Sequence, residues 1–87
     1  MKTAKLIEDN LEGFKGHAAL YELNVPLEGH QFVICSTTND MFSGIETYIF
    51  PATEEGEIID YGELKGSSRG TTIHAQVLRN AGYTIKK

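Results

Sequence analysis

The sequence predicts one small α+β domain over residues 1–87, in which a four-stranded antiparallel meander sheet carries an N-terminal and a C-terminal helix. Three observations favour this class. Apolar residues recur at helical spacing near both ends of the chain. Between them lie short apolar or alternating segments that are typical of strands. Gly or Pro separates most segments, so short turns are expected to connect neighbouring strands.

The first helix is predicted over residues 3–12. Ala4, Ile7 and Leu11 are spaced so that they share one face of a helix. Thr3 can cap its start, and Gly13 can end it. A helix of this length is marginal when isolated, so we expect it to pack against the sheet.

Four strands are predicted over residues 17–24, 31–38, 45–52 and 57–61. The second contains the apolar run from Phe32 to Cys35 and is expected to be central. Pro51 cannot donate a ladder hydrogen bond, so it should lie at a strand end or face an edge. Residues 53–56 are predicted to form the tight turn that joins the last two strands into a hairpin.

The C-terminal segment is predicted to form a linker, a helix and a short edge strand. Residues 65–70 are rich in Gly and Ser, and the helix should run over residues 72–81. Gly82 is placed to take the left-handed conformation after the helix, and Tyr83 to pack back on Val77 or Leu78. Thr84 and Ile85 are expected to form the edge strand.

Charge is distributed unevenly along the chain, whose formal net charge is −4. Residues 16–64 contain no Lys or Arg but many acids, whereas residues 65–87 contain bases and no acid. One interpretation is that the basic C-terminal helix compensates the acidic sheet. The other is an acidic docking surface that attracts a protein with a basic surface and speeds encounter.

The predicted partner-binding residues are acids of the last hairpin together with two large apolar residues of a loop. They are Glu54, Glu55, Glu57, Asp60, Glu63, Met41 and Phe42. Exposed apolar groups often mark contact surfaces, although Met41 and Phe42 could instead cap the core.

Composition also restricts the compartment and the class of partner. A sheet without Lys or Arg cannot neutralise phosphates, so we expect no direct binding of nucleic acid. No apolar run approaches the length of a membrane span, and Cys35 is the single cysteine, so we expect a cytoplasmic protein without a membrane partner. An exposed sheet edge leaves a homodimer as an alternative to a monomer.

No residue pattern indicates catalysis, and we expect neither a metal nor a cofactor. Cys35 could act as a nucleophile, but its apolar strand favours a buried core thiol. His17 and His30 could meet across the first hairpin as a two-histidine metal site, although ordinary polar positions are the simpler interpretation. His74 falls in the first turn of the second helix, where the dipole favours a neutral imidazole.

A loop before the second helix is a candidate anion site. Ser67, Ser68, Arg69, Gly70 and Thr71 precede a helix start, where backbone amides could hold a phosphate or carboxylate. The motif lacks the Gly-Lys-Ser/Thr of a P-loop, and a plain linker with Thr71 or Thr72 as the helix cap is the simpler explanation. A small-anion or nucleotide-binding domain is therefore the alternative function.

Residues 43–52, 62–67 and 81–83 resemble segments of short uncharacterised α+β proteins encoded by bacteriophages, and the resemblance covers residues 17–85. It brings no catalytic residues with it. It implies a phage accessory protein that binds or inhibits a host factor, such as a nucleic-acid-handling or defence protein. Together with the charge pattern, it leads us to predict a non-catalytic protein-interaction module that uses an acidic sheet face.

Overall fold

The computed structural model describes residues 2–11, 16–40, 44–60, 62, 64, 68–69 and 74–86. Strands account for 61 % of these residues. The elements in chain order are β1 (Thr3–Glu8), β2 (His17–Leu27), β3 (His30–Asp40), β4 (Gly44–Ala52), β5 (Ser68–Arg69), α1 (His74–Asn80) and β6 (Thr84–Lys86). The strands form one sheet in the order β5-β4-β3-β2-β1-β6.

The predicted N-terminal helix is wrong, because residues 3–8 form strand β1. This strand pairs antiparallel with β2, and Ala4 lies opposite Leu23 in the register. Ala4 is buried, whereas Ile7, on the expected apolar face of the helix, is 43 % exposed. Pairing with a neighbouring strand has overridden a local spacing that fits a helix.

The predicted four-stranded antiparallel meander is also wrong, because the sheet is mixed. Strand β6 returns to the start of the chain and pairs parallel with β1, with Thr3 opposite Thr84. The expected fourth strand over residues 57–61 is reduced to a bridge between Ala52 and Ile58. The chain therefore differs from the α+β class with two terminal helices: α1 is the one helix of the described part.

The three central strands were predicted correctly in position and pairing. β3 lies between β2 and β4 and pairs antiparallel with both, which confirms it as an interior strand. The carbonyl oxygen of Pro51 accepts a hydrogen bond from the amide of Ile59, 2.9 Å away, on the side away from β3. The proline ring nitrogen therefore also faces away from the β3 ladder, as its missing donor requires.

The C-terminal end of α1 follows the prediction closely. Gly82 has a φ of +97°, and its amide donates to the carbonyl of Arg79 at 2.9 Å. The amide of Tyr83 donates to the carbonyl of Leu78 at 2.8 Å, which completes a Schellman motif. Tyr83 packs with Val77 and Leu78 in the core, and its hydroxyl donates to the carbonyl of Val25 at 2.5 Å.

The sheet has two unequal apolar sides. The side covered by α1, which we call the helix face, holds the larger cluster, including Leu23, Val33 and Ile49. The opposite face holds a smaller cluster around Leu20 and Ile34. In the described part of the chain, no helix is both long and apolar enough to cross a bilayer.

Candidate functional site

Four of the predicted partner-binding acids lie in one exposed segment after β4. Glu54 and Glu55 occupy a turn, and Glu57 and Asp60 follow it; all four are exposed. We call residues 53–60 the acidic turn. Glu54 and Glu55 lie in the turn predicted for residues 53–56, whereas Glu57 and Asp60 lie outside any strand and not on the predicted sheet face. Glu63, Met41 and Phe42 lie outside the described residues.

The backbone of the acidic turn is held by hydrogen bonds to itself and to β4. The amide of Gly56 donates to the carbonyl of Thr53 at 3.0 Å, and the amide of Thr53 donates to the carbonyl of Glu57 at 2.8 Å. The Thr53 hydroxyl also accepts from the Glu57 amide at 3.2 Å. The Ile59 amide, bonded to Pro51, attaches the far end of the segment to the sheet. The carboxylates thus project from a fixed scaffold.

The structure adds Glu8 to this surface. A methyl group built on Gly56 would lie 4.0 Å from Oε2 of Glu8 and 3.7 Å from Cδ2 of Leu20. The turn therefore packs over the opposite face of the sheet, next to the end of β1. No local sequence pattern indicated Glu8, because the position of β1 beside residues 54–56 depends on pairing between distant segments.

An exposed apolar residue lies in the same segment as these acids. Ile59 is 58 % exposed and lies between the exposed Asp60 and the half-buried Ile58. It is the most exposed of the large apolar residues in the described part of the chain. An exposed apolar residue with acidic neighbours in the chain resembles a protein interface, in which a polar rim encloses an apolar centre.

The other acids of residues 16–64 do not gather at the acidic turn. Glu28 lies in the turn between β2 and β3, Glu22 is half-buried in β2, and Glu46 lies in β4 opposite Arg69. Glu54, Glu55 and Glu57 form no ion pair with any Lys or Arg of the described residues. Arg79 lies on α1, on the other side of the sheet.

A second polar cluster lies at one end of the helix face. Nε2 of His17 donates to Oδ1 of Asp9 at 2.5 Å, and the ring of His17 stacks on that of His74 with centroids 4.5 Å apart. The ring of Tyr21 meets His74 edge-on at 6.3 Å. The hydrogen bond from His17 lowers the pKa of Asp9, and burial lowers the pKa of His74. The lowered pKa of His74 favours a neutral imidazole, but its causes are burial and then the neighbouring His17, and not the helix dipole from which the sequence prediction was made.

The described residues form neither the metal site nor the activated nucleophile that the sequence left open. Among the described residues, no group of three or more His, Cys, Asp or Glu could hold a metal ion. His17 lies opposite Thr37 and His30 opposite Leu27, so the suggested two-histidine pair is at opposite ends of the hairpin. Cys35 is a fully buried free thiol, as predicted, and burial raises its pKa.

The predicted anion loop falls mostly outside the described residues. Ser67, Gly70 and Thr71 lie outside them, while Ser68 and Arg69 form β5 and pair with Thr47 and Glu46. Two residues of the loop therefore extend the sheet.

Comparison with known proteins identifies no relative: no family model, curated protein or solved structure matches the chain.

Proposed function

We propose that this protein is a non-catalytic protein-interaction module that binds a basic protein surface through the acidic turn. The observation that carries the proposal is a set of three exposed carboxylates, on Glu54, Glu55 and Glu57, that form no ion pair with a described Lys or Arg. They stand beside the exposed Ile59 on a hydrogen-bonded turn.

The chemistry of this surface suits docking. A turn that is already ordered loses little conformational entropy on binding, which favours affinity. Ile59 can bury apolar area at the centre of a contact, while the surrounding carboxylates select a cationic partner. Unpaired negative charge also steers a basic partner during diffusion and raises the association rate.

The proposed partner is a cytoplasmic protein whose basic surface handles nucleic acid. The carboxylates would occupy sites on that surface that otherwise contact phosphates, so binding would inhibit the partner by competition. A host defence or nucleic-acid-handling factor, bound by a phage accessory protein, fits both this chemistry and the resemblance described above.

The burial of the single cysteine supports a non-catalytic role. Cys35 is enclosed in the helix-face cluster, and its raised pKa keeps the thiol protonated and a poor nucleophile. In the described part of the chain, the carboxylates of the acidic turn are exposed to solvent and do not line a cleft in which a substrate could be enclosed.

Charge reversal provides the test. The protein is used to capture partners from a host lysate, and association with the captured partner is then measured over a salt series. Reversing Glu54, Glu55 and Glu57 to Lys should slow association by about tenfold or more at low salt and flatten its salt dependence, since steering scales with local charge.

Single variants provide a matched comparison. E55K and E28K make the same charge change at two exposed turn residues, but Glu28 lies in the β2–β3 turn. E55K should slow association more than E28K. Equal effects of the two, or an unchanged rate in the triple variant, would exclude the acidic turn as the contact.

A further inference from the structure

A groove crosses the sheet at the edge formed by β1 and β6. It has a volume of about 240 Å³ and is lined by Thr3, Lys5, Glu22, Asn24, Gln31 and Lys86, among others. We call it the lysine groove. It lies on the face opposite α1, because Lys5 and Glu22 are register partners in the same row as Phe32 of the smaller cluster.

Two ammonium groups share this groove. Lys5 and Lys86 are register partners in the parallel β1–β6 pair, so their side chains leave the same face on adjacent strands. Both residues are exposed, and neither forms an ion pair with a described carboxylate. Two like charges on neighbouring strands repel each other, and an anion placed between them relieves that repulsion.

Glu22, the carboxylate that lines the groove, forms no ion pair with either lysine. Glu22 lies opposite Lys5 in the register, but its Oε2 accepts a hydrogen bond from Nε2 of Gln31 at 3.3 Å. On the same wall, Oδ1 of Asn24 accepts from the amide of Thr3 at 2.6 Å. These contacts fix the polar walls of the groove while both lysines remain directed to solvent.

From this arrangement we propose that the lysine groove binds a small anion whose oxygens accept hydrogen bonds from Lys5 and Lys86. The groove is smaller than the pockets that enclose drug-sized ligands, which limits the occupant to the size of a phosphate or a short dicarboxylate. Glu22 stands at the inner wall and disfavours an anion that extends further across the sheet. The site is separate from the acidic turn, so either proposal can fail without the other.

Titration followed by backbone amide chemical shifts tests the site. Untagged protein is titrated with inorganic phosphate in one series and with succinate in the other, at constant ionic strength. We expect saturable shifts confined to Thr3, Lys5, Glu22, Asn24 and Lys86. Saturation by phosphate alone would identify a compact tetrahedral occupant, and saturation by succinate alone an occupant that bridges the two lysines.

Matched variants localise the effect. K5A and K86A should each raise the dissociation constant about threefold to fivefold, the scale of one exposed charge pair, and the double variant should abolish saturation. R79A removes one exposed positive charge from α1 and should leave binding unchanged. Shifts that do not saturate with either anion, or that persist in the double variant, would overturn the proposal.

Discussion

At the residue scale, Gly16 is the described glycine that leaves least room for a side chain. It precedes β2 and has a φ of +91°, a conformation that residues with a side chain rarely adopt. A methyl group built there would lie 2.1 Å from the carbonyl oxygen of Thr37 on β3. Gly29, in the β2–β3 turn, has a similar φ of +86° but no atom within 4 Å of that position. A side chain at Gly29 would therefore meet only backbone strain, whereas a side chain at Gly16 would meet both backbone strain and a steric clash.

We expect G29A to lower the free energy of unfolding by about 1–2 kcal/mol, the cost of a left-handed backbone for an L residue. G16A should cost clearly more, because the backbone of β2 must also move away from Thr37. Urea denaturation of both variants measures the difference. Equal losses of stability would show that the contact with Thr37 does not constrain the fold.

Burial of single residues was partly predictable from the sequence. The apolar run around Cys35 indicated a core strand, and the thiol is fully buried. The stacking of His17 on His74 was not predicted, because it joins the first residue of β2 to the first residue of α1. Glu8 was missed for a related reason: its position beside Gly56 follows from strand pairing and not from its neighbours in the chain.

At the element scale, α1 is attached to the sheet at both ends. Its C-terminal end is fixed by Gly82 and Tyr83, which the sequence indicated because a Schellman motif is local. Its first residue, His74, is 6 % exposed and packs against His17, and its Nε2 has no hydrogen-bond partner. Burial favours the neutral form of this imidazole, so we expect the docking of the helix start to depend on pH.

Acid should therefore loosen this contact in two steps. The pKa of His74 is lowered from 6.5, so its contribution to stability is present above pH 6.5 and is lost as the pH falls below that value. The pKa of Asp9 is lowered from 3.8 by its hydrogen bond from His17, so its contribution is lost only below about pH 3.8. Both shifts have the same sign.

Unfolding free energies measured from pH 8 to pH 5 test the first step. H74F keeps a ring against His17 but cannot take a proton, so its stability should fall less steeply below pH 6.5 than that of the wild type. Above pH 7 the two proteins should differ by a constant offset, which serves as the control. Parallel curves over the whole range would contradict the assignment to His74.

At the scale of the whole molecule, the sequence predicted local pairings and missed the distant one. β2, β3 and β4 follow one another with short connections, so alternation and turn residues were enough to identify them. The pairing of β1 with β6 joins residues 3–5 to residues 84–86, and no local pattern specifies a partner at that separation. The mixed sheet was missed for this reason, whereas β1 was missed because its pairing with β2 overrides a local spacing that fits a helix.

The outer side of β4 is occupied along much of its length. β5 pairs with Glu46 and Thr47, the amide of Leu64 donates to the carbonyl of Ile49, and Ile59 bonds to Pro51. At the other end of the sheet, no described residue pairs with the outer side of β6. A strand of another molecule can therefore add at the β6 side far more readily than at the β4 side.

This asymmetry limits self-association. Two copies that join through β6 cover the outer side of that strand in each copy, and in the described part of the chain the outer side of β4 is already largely occupied. Concentrated protein should thus stop at a dimer, and sedimentation velocity over a concentration series should show no larger species. Growth into trimers and longer filaments would mean that the β4 border also opens.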